Sequence, residues 1–127
     1  MIELSARELS ESVDAFKALL EIKLNGRLAY LLARIMREVE KEYGVLQDTR
    51  STLIRKYCVK DENGTPFVDE QGNNTIEKEY INDFNEEWSA VLHTNITLNI
   101  DPIPLKNIEN FDFTTEQMLR LMPFIEE

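Results

Sequence analysis

Cys58 is the only cysteine, so the chain can close no internal disulfide, which fits a reducing compartment. His93 is the only histidine, which excludes a histidine-based metal cluster or a relay through two imidazoles. No apolar run approaches the roughly 20 residues that a membrane helix needs. The opening MIELSARELSESVDAF has no basic region followed by an apolar stretch, so no signal peptide is expected. The triplets Asn63-Gly64-Thr65, Asn73-Asn74-Thr75 and Asn95-Ile96-Thr97 are therefore read as chance matches to the glycosylation pattern. There is no glycine-rich phosphate loop and no nucleophile elbow.

What is present points to one soluble globular domain over 1–127. Apolar residues make up 43% and charged residues 30% of the chain, a balance at odds with disorder. The net charge is −10, and it is unevenly spread. Residues 1–58 hold ten Lys/Arg and nine Asp/Glu, whereas residues 59–127 hold four and fifteen. Direct nucleic-acid binding is not expected, because phosphates repel such a surface. A basic protein partner and mimicry of nucleic-acid charge both remain open beside the plain reading of a solubilising surface.

Helical signals dominate. After a short strand at Ile2–Leu4, Ser5 and Glu8 have capping-box spacing, and Leu9, Val13, Phe16 and Leu20 extend a helix over about 6–22. Asn25-Gly26 supplies a corner. From Arg27 to Tyr57, Leu28, Leu32, Ile35, Val39, Tyr43, Leu46, Leu53 and Tyr57 recur at helical spacing. At 1.5 Å per residue this element would span roughly 45 Å, so part of it is expected to project or to pair with another chain. Gly44 is a candidate kink or break. Residues 58–75 carry turn signals at Asp61-Glu62-Asn63-Gly64 and Gln71-Gly72-Asn73, which predict a small hairpin or ordered excursion. Ile76, Tyr80, Phe84, Trp88 and Leu92 then predict a helix over 75–92, capped by Asn74 or Thr75 and packed on Leu28–Val39. Alternation at Ile96, Leu98 and Ile100 predicts a strand, and Pro102 and Pro104 confine the next segment to an edge. Thr114 and Gln117 repeat the capping box before a short helix that Pro123 stops. The fold class is thus mainly α (α+β): a long central helix packed with two or three shorter helices, plus a few short strands and a hairpin.

Side chains with reactive chemistry favour structural roles. His93 falls at a helix C-terminus, where a cation suits the dipole. Cys58 ends the long helix, where the dipole raises a thiol pKa, so it reads as an inert, partly buried thiol. The acidic loop Asp61, Glu62, Asn63, Asp69, Glu70, Gln71 and Asn73 lacks a calcium-loop register with glycine at position six and glutamate at position twelve. Glu38, Glu40, Glu42, Glu86 and Glu87 fall on helix faces where solvation explains them. No catalytic, cofactor-binding or metal-ligating residue is assigned, and no cofactor is expected. Two interaction features remain. Arg27, Arg34, Arg37 and Lys41 form a basic stripe, which the acidic second half is expected to cover. The apolar seam Val39–Tyr57 suits a second helix from the same or another chain, including a homo-oligomer.

The succession AYLLARIMREVEKEYGVLQDTRSTLIRKY, KDENG, FNEEWSAVL, TNITLNIDPIPLKNIE and TTEQMLRLMPFIEE resembles one group of proteins over residues 24–127. These are small uncharacterised proteins of about this length, a domain of unknown function encoded by tailed phages and prophages of Gram-positive bacteria. Cys58 stands where the group's usual Lys-Tyr-Gly has glycine. The resemblance implies a phage or prophage setting and supplies no site residues. Taken together, the residues and the resemblance give a non-enzymatic protein acting by protein–protein contact, in virion or tail morphogenesis. It would reside in the cytoplasm of a bacterial host or in the virion. The alternative is an inhibitor of a host defence enzyme with an acidic, nucleic-acid-mimicking surface.

Overall fold

In the computed structural model, which describes residues 1–127, Ser5 and Thr114 each start a helix as their spacing predicts. Ser5 Oγ accepts from the Glu8 amide at 3.1 Å, while Glu8 Oε1 accepts from the Ser5 amide at 2.9 Å. Thr114 and Gln117 make the same reciprocal pair at 3.1 and 3.0 Å. Each box satisfies two backbone donors that a helix start otherwise leaves without partners. The order of elements is β1 (Ile2–Ser5), α1 (Ala6–Leu19), α2 (Gly26–Tyr57), a 3-10 turn (Lys78–Tyr80) and α3 (Ile81–Leu92). There follow β2 (Asn95–Leu98), β3 (Ile103–Pro104), a 3-10 turn (Leu105–Asn107), α4 (Thr115–Leu121), a 3-10 turn (Met122–Phe124) and β4 (Ile125–Glu126). Helical residues, 3-10 turns included, make up 58% of the chain. The fold is helix-dominated, with one long helix, three shorter ones and a few short strands.

The chain divides into two compact units, one of Met1–Tyr43 with Thr94–Glu127 and one of Gly44–His93. In the first, β1 pairs antiparallel with β2, matching Ile2 to Leu98 and Leu4 to Ile96. A parallel two-residue pair joins Ile103 to Ile125. The prolines fit this edge, since neither Pro102 nor Pro104 has an amide to donate. Leu9, Phe16, Leu28, Leu32, Ile35, Val39, Leu98, Ile103, Ile108, Leu121 and Phe124 are buried in one cluster. Phe16 meets Phe124 edge-to-face at 4.8 Å between ring centroids, a favoured aromatic arrangement. Fully burying one such side chain contributes about 1.5–3 kcal/mol. The stripe Leu28–Leu32–Ile35–Val39 is buried as its period predicts.

In the second unit α2 continues without a break through Gly44, so that glycine does not end the helix. Beyond Cys58 the chain makes two turns of one design. Asp61 Oδ1 accepts from the amides of Asn63 and Thr65 at 2.9 and 3.0 Å, and Gly64 follows with φ 78°. Asp69 Oδ1 accepts from Gln71 and Asn73 at 2.9 and 2.8 Å, and Gly72 has φ 82°. Positive φ is the reason that glycine stands at both places. Single bridges pair Lys60 with Pro66 and Cys58 with Ile76, so the predicted hairpin takes the form of a folded-back loop.

The predicted helix over 75–92 starts later, at Ile81. Its first turn is used otherwise: the Val59 amide donates to Thr75 O at 2.8 Å and the Glu77 amide to Tyr57 O at 3.0 Å. That pairing keeps 75–77 extended. Neither Asn74 nor Thr75 caps α3, whose N-cap residue is Tyr80; Asn74 Nδ2 instead donates to Phe67 O. The aromatic face of α3 also meets a different partner from the one predicted. Phe84 lies against Tyr57, at the far end of α2 from Leu28, with ring centroids 6.5 Å apart, and Tyr80 lies 5.6 Å from the same ring. Trp88 is half-buried.

Candidate functional site

The first half of α2 holds a dry stripe on one side and an open face on another. Leu28, Leu32 and Ile35 are buried, which turns Arg27, Tyr30, Arg34, Arg37 and Lys41 outward. Tyr30 is 68% exposed, a large aromatic in solvent two residues from the buried Leu28 and Leu32 on either side. Asn25 starts this helix, its Oδ1 accepting from the Leu28 amide at 3.0 Å. None of Arg27, Arg34, Arg37 and Lys41 forms an ion pair; the ion pairs belong to Lys56 and to Arg120. The expectation that acidic residues would cover the stripe is therefore corrected. Those carboxylates have other partners or none. Glu116 pairs with Arg120, Glu87 pairs with Lys56, and Asp61 and Asp69 bind their own turns.

Beside this face lies a groove of about 600 Å³. One wall is the start of α2, with Arg27, Tyr30 and Arg34; the other is the proline segment, with Asp101, Pro102, Pro104 and Lys106. Tyr30 and Lys106 were not singled out by sequence. Tyr30 stands outside the apolar period of its helix, which is the signal that marks an outward aromatic. Lys106 has no comparable local signal, because only the fold brings it opposite Arg27 and Arg34.

The second half of α2 has its seam occupied. Val39 and Leu46 are buried, and Tyr57 is met by Tyr80 and Phe84. Lys56 Nζ lies 3.0 Å from Glu87 Oε1 and 4.9 Å from the centroid of the Tyr57 ring. The shared hydrogen bond holds the Lys56 ammonium above its ordinary pKa and the Glu87 carboxyl below its own.

The other candidate side chains have local roles. His93 is the C-cap residue of α3, with Nδ1 2.7 Å from Ser89 O. Cys58 is buried, more completely than expected, and its thiol faces Arg55 O at 3.7 Å. No group of three or more His, Cys, Asp and Glu is arranged to hold a metal ion. No helix is long and apolar enough to cross a membrane. Comparison with protein-family models, with curated proteins and with solved structures gave no match.

Proposed function

We propose that this protein is a non-enzymatic phage or prophage component that works by protein–protein contact, in virion or tail morphogenesis. The observation that supports contact is the open face of α2, where exposed Tyr30 is flanked by four cations outside any ion pair in a chain of net charge −10. Aromatic and arginine side chains are the types that most often carry the energy of protein interfaces. The partner is a protein chain, a second copy or another, and the phage setting rests on the sequence resemblance. The test is affinity capture from infected or lysogenic Gram-positive cells with the wild-type protein and with Tyr30→Ala. Virion structural proteins should co-purify with the wild type and be depleted with the variant. Recovery of no virion protein would overturn the morphogenesis reading.

A second reading, inhibition of a host defence enzyme, draws on the unit Gly44–His93. There Glu62, Glu70, Glu79, Asp83 and Glu86 are exposed and outside any ion pair. An array of free carboxylates can imitate phosphates toward a basic cleft. Under this reading, the captured partner would be a nucleic-acid enzyme, released by added DNA and by reversal of Asp83 and Glu86 to lysine.

A further inference from the structure

The groove between the start of α2 and the proline segment constrains what can occupy it, and this inference deepens the protein-contact reading and rests on it. Arg27 and Arg34 are seven residues apart, two helical turns, so their Cα atoms are separated by about 10.5 Å along one side of the groove. Lys106 stands on the opposite wall. Against these three cations the groove holds a single carboxylate, Asp101, and none of the three cations forms an ion pair. The apolar part includes Leu28, Tyr30 and Leu31 on the helix side, with Pro102 and Pro104, whose fixed backbone makes the other wall stiff.

We infer that this groove binds a short, extended, acidic protein segment, with two carboxylates on Arg27 and Arg34 and an apolar side chain between them against Tyr30 and the prolines. Guanidinium forks match carboxylates in a bidentate geometry, which makes arginine a better reader of such a segment than lysine. A free phosphate would occupy one arginine and leave the apolar strip bare. A nucleic acid would bring its charge against a surface of net −10, and phosphate binding of that kind relies on an extended basic footprint. The groove is instead a local basic island.

The test uses the full chain and fluorescein-labelled peptides in which two glutamates, set two, three or four positions apart, flank a leucine. Fluorescence anisotropy at low salt should show saturable binding for at least one spacing and none for the matching glutamine peptides. The double variant Arg27→Glu/Arg34→Glu should weaken binding by at least about tenfold, the scale of losing one charge-assisted contact. Arg50→Glu, exposed on the same helix but outside both the groove and the Tyr30 face, should leave affinity within about threefold, as an isolated surface charge would. Circular dichroism keeps loss of binding apart from loss of fold. The proposal is overturned if no spacing binds, if glutamine peptides bind equally, if Arg50→Glu weakens binding as much as the double variant, or if a single-stranded oligonucleotide binds more tightly. Capture of virion proteins that survives the double variant would remove the groove from the interaction while leaving the protein-contact reading standing.

Discussion

The two units of this chain share α2 yet are held in different ways. In Met1–Tyr43 with Thr94–Glu127, buried side chains from β1, α1, α2, β2, β3, α4 and the final 3-10 turn converge on one cluster. In Gly44–His93 the buried apolar residues are Leu46 and Cys58, and α3 buries none. That unit relies on the rings of Tyr80 and Phe84 around Tyr57, one ion pair and two aspartate-anchored turns. Amphipathic spacing alone therefore does not set how much a helix buries; the number of neighbours does. Opening free energies follow burial. Amides of α2 before Tyr43 should exchange with solvent only near global unfolding, and those beyond Gly44 should exchange earlier.

The sharpest way to break this contrast is to truncate one aromatic in each unit. Phe16→Ala should cost about 3–5 kcal/mol in chemical denaturation, the range for a fully buried ring. Trp88→Ala, with the side chain only partly buried, should cost less, about 1–2 kcal/mol. Equal losses would mean that the two units are equally well packed. Glycines give a smaller effect with opposite signs. Gly64→Ala forces a side chain into a positive-φ turn and should cost about 1–2 kcal/mol, read as faster exchange across 58–76. Gly44→Ala has open space around the new methyl group in a continuous helix and should stabilise by up to about 1 kcal/mol. A loss at Gly44 would show that α2 needs the glycine's freedom there.

The smallest effect is electrostatic. Glu87 has a lowered folded pKa, so its contribution is present above the ordinary carboxylate value of 4.5 and fades as pH falls through the folded value. Lys56 has a raised folded pKa, so its contribution is present below the ordinary 10.5 and fades as pH rises through the folded value. Both groups are at the surface, so the amplitude is small. Denaturation of Glu87→Gln across the pH range should show both limbs flattened; an unchanged acid limb would assign it to other carboxylates.

Much of the fold was legible wherever a local rule decided the outcome. The two capping boxes, the extent of α2 and the proline-bounded edge all follow from spacing within a few residues. The start of α3 was not legible, because the amides of Val59 and Glu77 tie 75–77 to the end of α2, and no local pattern announces that pairing. The twin turns were visible as Asp61…Gly64 and Asp69…Gly72, but their shared design emerges only from the two carboxylates gripping backbone amides. For the groove, Arg27 and Arg34 could be read from their period. Lys106 and the proline wall lie far from Arg27 and Arg34 in sequence, and only the fold puts them in one groove.

The pairing of β1 with β2 has a consequence for how the chain comes off the ribosome. Ile2–Ser5 emerges early and finds Asn95–Leu98 only after the whole unit Gly44–His93 has been made. Closing so long a segment is entropically costly, and contacts of high sequence separation form slowly. The unit with the smaller dry interior is thus contiguous and able to assemble during synthesis. The well-packed one must wait, with α1 and the first half of α2 exposing Phe16, Leu28, Leu32 and Ile35 until β2 and Phe124 arrive. For that interval its apolar stripes are the part of the nascent chain most in need of protection by a chaperone.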